Sequence, residues 1–198
     1  MYRASLYLIA GWSGFFVMGL ELLGGRLLAP FFGSSIYVWG AIIAMFMLAL
    51  SLGYLAGGRA SLSRPSLRRL ALILLVAAAS SLPVLLFGDA LLERISAWVP
   101  DPRFGSLLAA ALLFLLPTAV SGMVSPYAVR LLVADATSSG HNAGKLYFVS
   151  TFGSAAGTLL TSFYLVLYLE VNQILLCMLA VSALLSLAAW LVNGSGDP

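Results

Sequence analysis

The stretch IYVWGAIIAMFMLALSLGYL, residues 36–55, contains no charged side chain and a single serine. A bilayer core about 30 Å thick is crossed by roughly 20 mostly apolar residues in helical conformation, so this run reads as a transmembrane helix. Working outward, comparable runs occupy residues 5–29 on one side and 67–87, 104–124, 146–169 and 171–192 on the other. None alternates apolar and polar residues as the strands of a transmembrane barrel do. The prediction is an all-α, polytopic membrane helix bundle of about six spans. Composition agrees, because 62% of the 198 residues are hydrophobic and 9% charged. A soluble domain carries roughly 25% charged residues and could not bury the remainder. No linker or shift in composition divides the chain, so residues 1–198 are expected to form a single transmembrane domain.

The first run is too long for a cleaved signal peptide and contains Glu21 and Arg26. The lone Cys177 has no intrachain partner and is expected to act as a small buried hydrophobe. Basic residues are distributed unevenly. Arg59, Arg64, Arg68 and Arg69 all fall between the second and third runs, and this bias marks a cytoplasmic loop. Arg3, Arg130 and Lys145 thread to the same side, which places both termini in the cytoplasm of a multi-pass protein of the inner (plasma) membrane. Topology accounts for this cluster, and no nucleic acid is expected as a partner.

Residues 88–103 form the one sizeable connection on the opposite side. Within it, residues 90–99 place Leu91, Leu92, Ile95, Trp98 and Val99 near one helical face, as in an interfacial connector helix ended by Pro100 and Pro102. Residues 135–144, DATSSGHNAG, are rich in turn formers and read as a loop. His141 lies there without a second ligand at metal-binding spacing, so no metal is expected. The last two runs are separated by only a few residues and are expected to form a tight antiparallel hairpin. Tyr37 and Trp39 open the second run as an aromatic interface belt would.

Glu21 is the most informative position, because an ionisable group at a helix centre costs about 2.5–3.5 kcal/mol on insertion scales. It shares a helical face with Gly14, Met18 and Gly25, which should look into the bundle. Three roles are open to it: binding a cationic substrate, relaying a proton, or pairing with a buried hydroxyl or arginine. Arg26 lies about 140° away around the helix and near its end, where it can snorkel. The segment LLPTAVSGMVSPYAVRLL, residues 115–132, carries Pro117, Gly122 and Pro126 and should kink or break, as helices do where backbone lines a membrane cavity. Ser150, Ser154, Gly157 and Thr161 align on one face of the fifth run, with Gly153 and Thr158 beside it, a pattern suited to close helix contact or to a hydroxyl-lined path. Candidate substrate-binding residues are therefore Glu21, Arg26, Ser125, Tyr127, Arg130, Tyr147, Ser150 and Ser154. No dinucleotide fingerprint, phosphate loop, zinc-protease helix or nucleophile elbow is present, so no catalytic residue and no cofactor are expected.

Four blocks carry a resemblance: GLELLGGRLLAPFFGSSIYVWG (19–40), LSLGYLAGGR (50–59), SGMVSPYAVRLL (121–132) and GKLYFVSTFGSAAGTLLT (144–161). Together they resemble the membrane region of bacterial fused transporter/spermidine synthase proteins. That region looks like half of a major facilitator transporter and is typically followed by a soluble aminopropyltransferase-like domain. The turn from Gly53 to Arg59 also looks like the facilitator signature between helices two and three, although Gly57 stands where an acidic residue is usual and Arg59 falls one position late. The resemblance implies interest in Glu21, Arg26, Pro126, Tyr127, Arg130 and Tyr147, which lie within the matching blocks. Since the chain ends at Pro198, before such a domain would begin, aminopropyl transfer is not expected of it.

The functional expectation is a half-transporter-like protein that moves or binds a small solute, with cationic, polyamine-like solutes implied by the resemblance. It would associate with a second copy or a partner membrane protein to enclose a polar cavity. The alternative is a non-transporting anchor or regulatory module for a separate aminopropyltransferase-like enzyme. The lipid bilayer is a partner in either case.

Overall fold

A computed structural model describes residues 2–133 and 139–194. Among them there is no strand, and six helical spans are long and apolar enough to cross a membrane. The first is α1, Tyr2–Phe32, and the second α2, Ile36–Ala60. Between them Gly33 adopts φ 77°, a left-handed conformation open to glycine, while its N–H closes the last turn on the Ala29 carbonyl at 2.9 Å.

The third span is not one helix. It comprises α3, Leu67–Ala79, and α4, Leu82–Trp98. At the junction the hydroxyls of Ser80 and Ser81 donate to the carbonyls of Ala77 and Ala78, each at 2.7 Å, and Pro83 starts the next helix. Side chains thus satisfy backbone acceptors that the break releases. The helix expected over residues 90–99 is not a separate surface connector but the second half of α4. Val84, Gly88, Leu92 and Ile95 make one continuous buried stripe down α4, and Leu92 and Ile95 join the main core, so nothing detaches the segment at Gly88. Trp98 ends it, exposed.

The fourth span breaks as expected, at Met123, into α5, Pro102–Gly122, and α6, Val124–Leu132. Asp101 caps α5 by accepting the Arg103 N–H at 2.8 Å. The fifth span begins earlier than expected. Residues 135–138 of the anticipated loop lie outside the described residues, but α7, Ser139–Leu160, already includes the polar stretch up to Gly144. A Cβ at Gly140 or Gly144 would meet open space, and Ser139, Gly140 and Ala143 of these opening turns face α6 across a groove. A π-helical turn at Thr161–Leu165 and a short α8, Val166–Tyr168, complete this span, and α9, Val171–Gly194, follows.

The turn between the last two spans is tight, with the Glu170 N–H donating to Gln173 Oε1 at 3.0 Å. The helices nevertheless do not pack as a hairpin. The principal neighbour of α7 is α1, whereas α9 lies chiefly against α3 and also touches α1. An apolar groove floored by Tyr7, Gly11 and Phe15 of α1 separates Val149 and Phe152 from Val181 and Leu185. The reason is steric. A Cβ at Gly153 would collide with the Gly11 carbonyl, and one at Gly14 with the Ser150 carbonyl, so these small residues let α1 and α7 approach backbone to backbone. The small-residue face of the fifth span therefore serves close contact, as its spacing indicated. A second such seam joins α2 to α5, where Gly53 and Gly57 lie against the backbones of Ala119 and Met123.

The first helix is central to the bundle. Its Phe16, Leu20, Leu23 and Leu28 join Phe46 of α2 and Phe114 of α5 in the larger core. Its Leu6, Ile9 and Ala10 join Leu70 of α3 and Tyr127 of α6 in a second core near the basic end. Trp39 packs its ring against Gly25, while Tyr37 stays exposed with the Arg103 guanidinium 4.8 Å from its ring centre. Cys177 is exposed on α9, contrary to the buried position expected. In a spanning helix the outer face meets acyl chains, and a thiol is apolar enough to sit there among leucines such as Leu176. The chain is thus a multi-pass membrane protein with a helical bundle fold.

Candidate functional site

The break in the fourth span borders a cleft. Pro126 has no N–H, so the Gly122 carbonyl four residues earlier loses its usual helical donor. Gly122 itself packs against Leu50 and Gly53 of α2, an approach that leaves little room for a side chain. The two glycine seams then fix what surrounds the break. The α2–α5 seam holds Tyr54 beside it, and the α1–α7 seam brings Ser150 and Ser154 to it from the other side.

The outer part of the cleft has a volume of about 310 Å³ and is lined by Tyr54, Ser125, Pro126, Tyr147, Ser150, Thr151 and Ser154. A narrower inner part of about 70 Å³ shares Tyr54, Ser125, Ser150 and Ser154 and reaches Ser13, Met18 and Ser121. Some hydroxyls are already engaged. Ser13 donates to the Ser121 carbonyl at 3.2 Å, Ser121 to the Pro117 carbonyl at 2.8 Å, and Ser154 to the Ser150 carbonyl at 3.2 Å. Those of Tyr54, Ser125, Tyr147, Ser150 and Thr151 form no hydrogen bond with a described residue. The cleft is therefore a ring of uncharged donors and acceptors with two phenol rings. Such a lining suits a small polar guest, and tyrosine faces also attract a cation.

Of the candidates read from sequence, Ser125, Tyr147, Ser150 and Ser154 meet in this cleft. The others lie elsewhere. Glu21 follows Met18 by about one turn along α1, beyond the cleft lining, half-buried and without a hydrogen bond to a described residue. Arg26 is exposed. Tyr127 is buried and its hydroxyl accepts the Ser66 N–H at 3.2 Å, pinning α6 to the turn before α3. Arg130 lines a separate groove of about 430 Å³ with Ser61, Val129 and Ser139, and Pro126 borders both spaces.

Tyr54, Ser13, Ser121 and Thr151 also line the cleft and were not singled out from sequence. Ser121 and Ser125 sit four residues apart, on either side of the break at Met123, and their spacing within the segment that sequence marks as broken was a readable signal. Tyr54 is an isolated polar tip in an apolar run and gave none. Among the described residues no three His, Cys, Asp or Glu side chains gather as a metal site, and His141 is exposed. Searches against protein-family models, curated proteins and solved structures find no match to this chain.

Proposed function

We propose that this chain is a half-transporter-like membrane protein whose cleft between α2, α6 and α7 binds a small polar solute on its way across the bilayer. The observation that carries the reading is the convergence, on one cavity at a broken transmembrane helix, of five hydroxyls that have no hydrogen bond with a described residue. Broken helices at membrane depth recur where transporters bind their cargo. Because the cleft is open on one side, a second copy or a partner membrane protein is required to close it. The resemblance to the membrane region of fused transporter/spermidine synthase proteins makes polyamines and related amines the first solutes to test. The basic loop between α2 and α3 supports an inner-membrane orientation with both termini cytoplasmic. No catalytic step is part of this reading.

Purified protein in lipid vesicles should accumulate labelled polyamine, and Tyr54→Phe combined with Ser150→Ala should lower that uptake several-fold without unfolding the bundle. Failure to take up any member of a broad amine panel, by folded protein, would refute the amine assignment.

A second reading is favoured by the Arg130 groove, which lies toward the end of the bundle that holds Arg59 and Arg64. There the chain would anchor or regulate a separate aminopropyltransferase-like enzyme. Co-purification of such an enzyme that is lost in Arg130→Glu, with no solute flux, would select it.

A further inference from the structure

Independently of the cleft, α3 and α9 enclose a groove of about 140 Å³ on the outer surface of the bundle. Its walls are Ala71, Leu72 and Leu75 on one side and Ala183, Leu187 and Trp190 on the other, so its body is hydrocarbon. The two helices run antiparallel, and the groove's basic end is set by Arg68, whose guanidinium carbon lies 5.9 Å from the centre of the Trp190 ring. Two polar groups there have no hydrogen-bond partner among the described residues. Arg68 Nε is buried with no hydrogen bond, and so is the hydroxyl of Ser186, a residue 5% exposed that lines the groove. A buried helical serine ordinarily donates to the carbonyl four residues back, so an unbonded one is unusual.

We infer that this groove is a binding site for one anionic phospholipid, its phosphate on Arg68 and an acyl chain between α3 and α9. The spacing of the two orphaned groups favours a lipid over a free anion. Ser186 precedes Trp190 by four residues, which places its hydroxyl about one helical turn, roughly 5.4 Å, deeper than the arginine. In a phospholipid the ester carbonyls lie deeper than the phosphate by a similar step, and rotation of the Ser186 side chain toward the groove it lines lets its O–H donate to one of them. Below that level the walls are apolar, as a chain requires. Arg68 also occupies the first turn of α3, where the Ser66 hydroxyl caps the Arg69 N–H and the helix dipole favours an anion. Basic pockets between transmembrane helices bind acidic headgroups by this combination of charge and groove. Arg69 does not contribute, since it is exposed and its guanidinium donates to the Ser63 carbonyl.

The test uses the full chain, stripped of lipid in mild detergent and titrated with phosphatidylglycerol or phosphatidylcholine under native mass spectrometry. One phosphatidylglycerol should be retained per chain in preference to phosphatidylcholine. Arg68→Gln should weaken retention about tenfold, the scale of one charge-assisted hydrogen bond, while Arg69→Gln leaves it unchanged. Ser186→Leu, which fills the groove and keeps the arginine, provides a second arm should Arg68→Gln fail to fold, and it too should reduce retention. Equal retention of the two lipids, retention unaffected by both Arg68→Gln and Ser186→Leu, or displacement of the lipid by glycerol phosphate at equal concentration would each overturn the proposal.

Discussion

Replacing Gly153 by alanine should loosen the seam on which the cleft depends. The new methyl would strike the carbonyl and α-carbon of Gly11, which are main-chain atoms and cannot rotate aside. The helices α1 and α7 must therefore separate, and overpacking of this kind costs about 1–3 kcal/mol. At roughly tenfold in the equilibrium constant per 1.4 kcal/mol, the folding equilibrium constant extracted from a denaturant titration should fall between about 5- and 150-fold. The measurement is reversible unfolding in mixed detergent micelles, followed by circular dichroism. A matched control separates packing from helix propensity. Gly58 of α2 has nothing within 4 Å of where its Cβ would be, so Gly58→Ala should be neutral or stabilising by up to about 1 kcal/mol. Gly14→Ala strikes the Ser150 carbonyl on the same seam. Combined with Gly153→Ala it should cost less than the two added together, because one separation relieves both clashes. Should Gly153→Ala prove as stable as Gly58→Ala, the backbone-to-backbone contact of α1 with α7, and with it the placement of Ser150 and Ser154, would be refuted.

Tyr127→Phe removes the acceptor of the Ser66 N–H and should destabilise the chain by about 1 kcal/mol in the same titration, with the helix content of the folded state unchanged. Glu21→Gln should raise stability, since it neutralises a carboxylate that has no hydrogen-bond partner among the described residues; a loss of more than about 1 kcal/mol would instead reveal a paired charge. A cysteine at Leu62, in a chain carrying Cys177→Ala, should react with an impermeant maleimide only after cells are opened, and labelling of intact cells would reverse the proposed orientation.

The spans were legible because length and apolar character alone define them, and the break at Met123 because Gly122 and Pro126 announce it. The division at Ser80 and Ser81 was harder to read. Those serines satisfy the broken backbone themselves, so no long polar interruption marks the place. Pairing of helices was not legible at all. The contact of α7 with α1, and not with α9, follows from which glycines face each other, and spacing within one helix does not say which neighbour it will meet. The cleft shows the same division. Ser125, Tyr147, Ser150 and Ser154 were readable as small or polar residues grouped in two segments, whereas Tyr54 and Ser13 matter only because seams formed by neighbouring glycines bring them there. Glu21 drew attention through the cost of its charge, a quantity that speaks to shelter and not to membership of a particular cavity.

The fifth span supplies the last prediction. It is the least apolar of the six spans, with mean hydropathy 1.2, and also the one least covered by its own chain. Left against acyl chains, Thr151 and the phenol of Tyr147 would have no protein partner for their hydroxyls, an unfavourable arrangement where water is absent. A proteinaceous cover over this face removes that difficulty, and it also closes the open side of the cleft. A second copy whose two-fold axis passes beside the middle of α7 would set Thr151 near its own counterpart, since residues close to the axis of an isologous contact meet themselves. Thr151→Cys in a Cys177→Ala background should then form a disulfide-linked dimer under mild oxidation in native membranes, while a cysteine at Leu72, on the α3 surface, should not. A chain that stays monomeric at all protein-to-lipid ratios, with the cysteine at 151 freely alkylated and never crosslinked, would show that no second copy covers α7 and would leave only a different membrane protein to complete the cleft.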